Sequence, residues 1–181
     1  LLPLGLQLAS ALHYLEEEKV VHLDVKPSNV ILGAPARLID LSIAQPLDEL
    51  AAITHRIGTD AYMAPEQCDP KRLGPLTSAA DVWGMGASLF HGAAGMPPFP
   101  QGVRDGSREE RFPQLQEEPA PLPGTLDPEA AELITACLAF EPERRPTAAE
   151  VAEELEHLVA AVPQRPVLSR FRIRPRRQSL F

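Results

Sequence analysis

The sequence predicts a mainly α-helical fold that carries one small antiparallel β-hairpin. Three observations carry this expectation. Four segments place apolar residues at helical spacing. Only two short runs, Val30–Leu32 and Ala36–Ile39, read as strands, and the turn signal Gly33-Ala34-Pro35 lies between them. The 181 residues are 44% hydrophobic, enough for one domain with a core of its own.

Each element follows from its local pattern. Leu4, Leu8, Ala11, Leu12 and Leu15 recur on one face and predict an amphipathic helix ending near Glu16–Lys19. Next comes the stretch VVHLDVKPSNVILG, Val20 to Gly33, largely β-branched and apolar, and then the hairpin. Residues 40–66 show weak periodicity and read as a long loop, a length usually kept for function in a compact domain. Ser78 and Asp81 have capping spacing at the start of a helix whose Val82, Trp83, Met85, Leu89 and Phe90 lie on several faces, so it is expected to be buried all round. Proline and charge over residues 97–127 predict surface loops around at most one short helix. Asp127-Pro128 opens a helix with Leu133, Ile134, Cys137 and Leu138 inward. Pro146-Thr147 with Glu150 opens the last helix, whose stripe is Val151, Leu155, Leu158 and Val159.

Charge is unevenly spread. Residues 163–181 hold six arginines and no acid, which leaves 11 basic and 25 acidic residues before them, a net of −14 against −8 for the whole chain. An acidic body argues against nucleic acid as its partner. The tail, residues 161–181, reads as a basic, flexible extension. Cys68 and Cys137 make no metal-ligand or redox spacing, and no apolar run is long enough to span a bilayer, so a cytoplasmic setting is expected. None of the five histidines pairs with another at metal-ligand spacing, and His22 reads as a core residue bracing the loop beside it.

Asp24, Lys26 and Asn29 interrupt the apolar stretch, and burying such groups is costly unless each has a partner. With Ala34-Pro35 as the hairpin tip, Asn29 is expected opposite Asp40 at the open end, with Asp24 and Lys26 in the loop before. Two carboxylates and an amide oxygen suit Mg²⁺, which keeps waters and binds substrate phosphates. A lysine beside them suits a phosphate. The constellation fits phosphoryl transfer.

Five segments then resemble motifs of the eukaryotic-type serine/threonine protein kinases: HLDVKPSN the catalytic loop, DLS (Asp40–Ser42) the D-F-G segment, GTDAYMAPE (Gly58–Glu66) the end of the activation segment, DVWGMG (Asp81–Gly86) the central-helix motif, and ERRPT (Glu143–Thr147) the final motif. They cover about residues 1–160, with the order and spacing of a kinase C-terminal lobe, and the composition suits a bacterial source. The resemblance implies a helical C-lobe bundle with its hairpin at the cleft, ATP and Mg²⁺ as cofactors, and protein substrates. By the same resemblance Asp24 is the catalytic base, Lys26 steadies the transferred phosphate, and Thr59 bonds both and seats the acceptor. Asn29 and Asp40 hold magnesium, and Ile31 lies beneath the adenine. Glu66 pairs with Arg145, and Asp81 accepts backbone N–H groups of the catalytic loop.

Three departures qualify the likeness. Leu23 replaces the arginine that reads an activation-loop phosphate, so a phosphate on Thr54 would lack this reader. Ser42 replaces the glycine of D-F-G, restricting the backbone, and Leu41 keeps an apolar plug in place of phenylalanine. Only 23 residues precede Asp24, and no G-x-G-x-x-G or V-A-I-K-like strand occurs, so the N-terminal lobe is expected elsewhere in cis and the chain reads as a truncated piece. Two alternatives stand beside the kinase reading: a non-catalytic, pseudokinase-like interaction module and a small-molecule phosphotransferase. Lys26, the MAPE segment and the RRPT motif speak against the second. In the tail, Arg176-Arg177-x-Ser179-Leu180 resembles an acceptor site of basophilic kinases.

Overall fold

A computed structural model describes residues 1–161; the tail, with Ser179 and its arginines, lies outside the described residues. Helix α1 (Leu2–Glu17) buries Leu8, Ala9 and Leu12 and packs on the last helix. Strand β1 (Val20–Val21) leads into the polar loop, and β2 (Val30–Ile31) with β3 (Arg37–Leu38) forms the expected hairpin.

The hairpin register differs by one residue from the expectation. Val30 pairs with Leu38 and Ile31 with Arg37. Ile39 therefore donates to the Asn29 carbonyl at 2.9 Å, and Asp40 lies one residue beyond with φ +70°. The connecting loop runs over residues 32–36, one residue out of step with the two-residue tip assumed from Ala34-Pro35. A one-residue slip exchanges the faces of a strand, and the left-handed turn at Asp40 takes that residue out of the ladder.

Residues 40–66 are more ordered than a bare loop. Strand β4 (Gln45–Pro46) returns to pair antiparallel with β1, with Val21 opposite Gln45. A 3-10 turn over Leu47–Ala52 follows and buries Leu50. Two short helices, α2 (Pro65–Cys68) and α3 (Pro70–Leu73), then lead to α4 (Ala79–Ala94).

Helix α4 is the axis of the core and is buried continuously from Ala80 to Phe90, as its sequence predicts. Its start differs from the capping expectation. Ser78 donates its hydroxyl to Glu16 at 2.6 Å, and the Asp81 carboxylate turns inward to another task described below. Residues 97–127 carry α5 (Arg108–Arg111) and a 3-10 turn over Pro113–Leu115. They are not simply surface: Phe99 stacks on Trp83 with centroids 5.8 Å apart, and Phe112 and Leu115 form a second small core with Met63 and Cys68. Helix α6 (Pro128–Cys137) is capped by Asp127, whose carboxylate accepts from the Glu129 N–H at 3.0 Å. Helix α7 (Ala148–Ala161) begins at the predicted reciprocal pair, with Thr147 and Glu150 each accepting from the other's backbone. Val151, Leu155 and Leu158 bury against α1 and α6. Both cysteines are free and buried.

Candidate active site

The loop between β1 and β2 has almost no ladder to hold it, so side chains shape it. Asp81 on α4 accepts from the backbone N–H of His22 and of Leu23, each at 2.7 Å. Leu23 sits at φ +65° and is buried. Such a conformation costs a side-chain-bearing residue about 1–2 kcal/mol, which these two charge-assisted bonds offset. The carboxylate is buried, and burial pushes its pKa up to about 6 against the pull of those two N–H bonds. His22 is wholly buried. Its Nε2 lies 3.1 Å from the Ile39 carbonyl, and its Nδ1 accepts from the Asp24 N–H at 3.3 Å. This pattern fixes the tautomer that carries the proton on Nε2 and ties the loop to the hairpin.

Two glycines set the walls. A Cβ on Gly84 of α4 would lie 2.8 Å from the Val25 carbonyl oxygen, so the loop rests directly on helix backbone. Gly58 has φ +117°, and a Cβ there would approach the Leu23 carbonyl to 2.8 Å. That close approach delivers Thr59 to Asp24.

Asp24, Lys26, Thr59 and Asn29 meet in one hydrogen-bonded cluster. The Lys26 ammonium donates to Asp24 Oδ2 at 2.6 Å and to the Thr59 hydroxyl at 2.7 Å. The Thr59 hydroxyl in turn donates to Asp24 Oδ1 at 2.7 Å. The Asn29 amide N–H group donates to the Asp24 carbonyl at 2.9 Å and to Oδ2 at 3.2 Å. Asn29 thereby spends its donors on Asp24, and its amide oxygen has no protein partner among the described residues. Asp40 is fully exposed. Its hydrogen bonds from Ser42 hold its carboxyl below the usual range, with smaller help from Lys26 and His22. The Asn29 oxygen and the ionised Asp40 carboxylate are hard acceptors of the kind magnesium takes, and two protein ligands with waters is its usual complement. No group of three or more His, Cys, Asp or Glu able to hold a metal occurs among the described residues. Ile31 is 53% exposed on the hairpin, beside exposed Leu32, Ile39 and Leu41. Leu41 is 55% exposed, and nothing among the described residues covers it.

Comparison with known proteins identifies the family. The family model described as "Protein kinase domain" matches residues 4–155. The chain belongs to the protein kinase family. It is 40% identical over 140 residues to the "Probable serine/threonine-protein kinase PkwA" of Thermomonospora curvata, covering 75% of this chain and 18% of that protein. It is 36% identical over 156 residues to the "Serine/threonine-protein kinase PkaA" of Streptomyces coelicolor, covering 82% and 27%. To the human "Dual specificity mitogen-activated protein kinase kinase 7" it is 36% identical over 146 residues, covering 77% and 34%. The chain thus spans about a third or less of the length of these relatives. Protein kinases as a family use ATP with Mg²⁺. No described helix of this kinase chain is long and apolar enough to cross a membrane.

The structural bridge expected from the resemblance is present. Arg145 forms a two-pronged pair with Glu66 at 2.6 and 2.8 Å, both side chains fully buried, and its guanidinium lies 5.0 Å above the Trp83 ring centre. Several supporting residues escaped the sequence reading. Buried Gln67 donates to the Leu23 and Ile57 carbonyls at 2.9 and 3.0 Å, joining the loop that carries Asp24 to the segment that carries Thr59. Buried Gln114 donates to the carbonyls of Asp60 and Met63 at 2.8 and 3.0 Å. The Tyr62 hydroxyl lies 2.7 Å from His91 Nδ1. A place directly after Glu66, a residue the resemblance expects in a buried bridge, is the one signal that could have pointed to Gln67.

Proposed function

We propose that the chain forms the catalytic lobe of a serine/threonine protein kinase, which moves the γ-phosphoryl group of ATP to Ser or Thr hydroxyls of protein substrates. Residues 1–160 are the lobe and 161–181 a basic tail. The observation that carries the reading is the Asp24 carboxylate, shared by Lys26, Thr59 and Asn29 within 3.2 Å.

In this reading Asp24 is the base. Its Oδ1, now bonded to Thr59, receives the acceptor hydroxyl proton as the new O–P bond forms and ADP leaves. Lys26 moves its ammonium from carboxylate toward the phosphoryl oxygens, where charge develops. Thr59 keeps the loop and the acceptor segment in register. Asn29 and Asp40 are the residues that would hold Mg²⁺, which when bound neutralises phosphate charge. Ile31 offers an apolar floor to the adenine. The roof over the nucleotide, and the lysine for its α- and β-phosphates, come from an N-terminal lobe in cis. The exposed apolar strip of Ile31, Leu32, Ile39 and Leu41 fits such a cover. Two free buried thiols and an ATP requirement suit the cytoplasm.

The test uses the gene with its upstream coding sequence. Radiolabel transfer from γ-³²P-ATP to a generic protein acceptor is measured for the parent and for Asp24→Asn, alongside calorimetric Mg²⁺–ATP titration. A loss of about 10²- to 10⁴-fold in transfer with nucleotide binding retained is expected. Binding without transfer in the parent, or transfer indifferent to Asp24, would overturn the reading in favour of an interaction module.

A further inference from the structure

A cleft of about 640 Å³ lies between the end of α6 and the segment that follows the Pro113–Leu115 turn, and it shares no residue with the Asp24 cluster. Its floor is Trp83 and Phe99, which are stacked and buried. Phe140, 40% exposed, adds an open aromatic face. Three exposed carboxylates, Glu117, Glu118 and Glu141, line the same cleft. The cation among the lining residues, Arg144, is itself exposed and reaches Glu141 only at 3.5 Å. Glu117 and Glu118 have no ion pair among the described residues. Aromatic floor and acidic rim together suit an extended segment that is apolar on one side and basic on the other.

The chain carries such a segment. Arg170-Phe171-Arg172-Ile173-Arg174 alternates arginine with apolar residues, and no acid occurs over residues 163–181, whereas the residues before them carry a net of −14. Extended backbone sends successive side chains to opposite faces, which would put the three arginines on one side and Phe171 with Ile173 on the other. The covalent path bounds the distance. Arg144 lines the cleft four positions before α7 begins, and the 14 residues of α7 rise about 1.5 Å each, so Ala161 lies within about 35 Å of the cleft. At about 3.3 Å per extended residue, Arg172 reaches about 36 Å from Ala161, and Arg174 reaches further.

We propose that this cleft is the dock for residues 170–174 of the chain's own tail. Phe171 and Ile173 settle against Phe140 and the Trp83–Phe99 stack. The long arginine side chains turn to Glu117, Glu118 and Glu141. Trp83 also carries the Arg145 guanidinium, so the docked tail adjoins the buried bridge to Glu66. Docking involves neither nucleotide nor phosphoryl transfer and stands apart from the kinase activity.

The experiment replaces Phe171 of the full chain by the photoreactive p-benzoylphenylalanine, irradiates dilute protein and maps the cross-linked residues by mass spectrometry. Cross-links within one chain to residues 115–119 or 135–141 are expected, with a yield independent of protein concentration and reduced at high salt. Glu117→Lys with Glu118→Lys is expected to lower that yield about fivefold. Adding Arg172→Glu and Arg174→Glu is expected to restore most of it. Both glutamates are exposed, and near-ultraviolet circular dichroism matching the parent establishes that the variants fold. Cross-links absent from the cleft, a yield indifferent to the lysines, or a yield that the charge swap leaves low overturns the proposal. Cross-links at the mass of a dimer, rising with concentration, assign the cleft to the tail of a second copy and overturn the assignment within one chain. A further arm adds vesicles containing phosphatidylserine. Cross-links to lipid, with none to the cleft when vesicles are absent, assign the arginines to an anionic membrane surface and overturn the proposal as well.

Discussion

Replacing Glu66 by glutamine isolates what a buried charge pair contributes, because size and shape are kept while the counter-charge is removed. Glu66 and Arg145 are exposed by 1% and 0%, and the two bonds between them are 2.6 and 2.8 Å long. Arg145 has three further acceptors, the carbonyls of Ala139, Ala79 and Phe140, at 2.8 to 3.0 Å. The variant therefore leaves a cation that is still hydrogen-bonded but no longer neutralised. Breaking one side of such a pair costs about 3–5 kcal/mol, and the retained carbonyls place Glu66→Gln at the lower end. In a chain of this size that lowers Tm by roughly 6–12 °C. With a urea m-value of about 2 kcal/mol/M, the midpoint falls by about 1.5 M. Equilibrium urea unfolding, read by Trp83 fluorescence, measures it. Arg145→Met removes the charge as well, so the double variant is expected to lose less than the two single losses added together, with a coupling of about 1–3 kcal/mol. A loss under about 1 kcal/mol for Glu66→Gln, or strict additivity in the double variant, would refute the claim that charge neutralisation holds the activation segment to the base of α7.

Other consequences follow from single observations. Asp81, with a folded pKa raised to about 6, binds its proton more tightly folded than unfolded. Its contribution to stability is therefore full below about pH 4 and declines as pH rises toward 6. Asp81→Asn is expected to remove that slope, so that it stands out in the parent-minus-variant difference, and to cost about 1–3 kcal/mol at neutral pH, since one of two N–H donors loses its acceptor. Gly84→Ala is expected to cost about 1–3 kcal/mol by pressing a methyl into the Val25 carbonyl, and to lower transfer activity as the loop shifts; unchanged denaturant midpoints would contradict this. Burial raises the Cys68 thiol, with neighbouring carboxylates adding to the effect, and pushes Cys137 up to about 12. Neither is expected to react with a thiol reagent at pH 8 until the chain unfolds, a result read by comparing native and urea-treated protein.

Much of this was legible in sequence wherever the signal was local. Helical spacing placed α1, α4, α6 and α7, and the reciprocal Thr147–Glu150 cap fell where its spacing put it. Hairpin geometry put Asp24, Lys26 and Asn29 with Asp40, and motif resemblance added Thr59; the structure joins the first three with Thr59, while the Asp40 carboxylate takes its hydrogen bond from Ser42. What could not be read depends on contacts distant in sequence. The β1–β4 pairing joins two-residue strands, with partners 24 and 26 positions apart, and strands so short register no period. The hairpin register failed on loop length: a two-residue tip was assumed where five residues intervene, and no residue type in Gly33-Ala34-Pro35 distinguishes the two. Gln67 and Gln114 look like ordinary surface amides until folding surrounds them with unpaired carbonyls.

The missed contacts share a physical cause. Each strand is two residues long, so the loops around Asp24 receive little order from sheet hydrogen bonding. A loop that must hold a carboxylate, an ammonium and an amide within 3.2 Å of one another needs fixed points from elsewhere. Buried acids supply them. Asp81 reaches 58 and 59 positions back to hold the catalytic loop, Glu66 binds Arg145 79 positions on, and Asp69 takes Arg108 39 positions on. Each of these carboxylates is almost wholly buried and stands on or next to a helix, and each secures a segment that has no ladder of its own. An apolar side chain could fill the same space, but it would not satisfy the His22 and Leu23 N–H groups or fix a direction. That requirement explains why these three carboxylates sit in the interior despite the cost of desolvating them, and why the Asp24 cluster holds its geometry although the segments that carry it are loops.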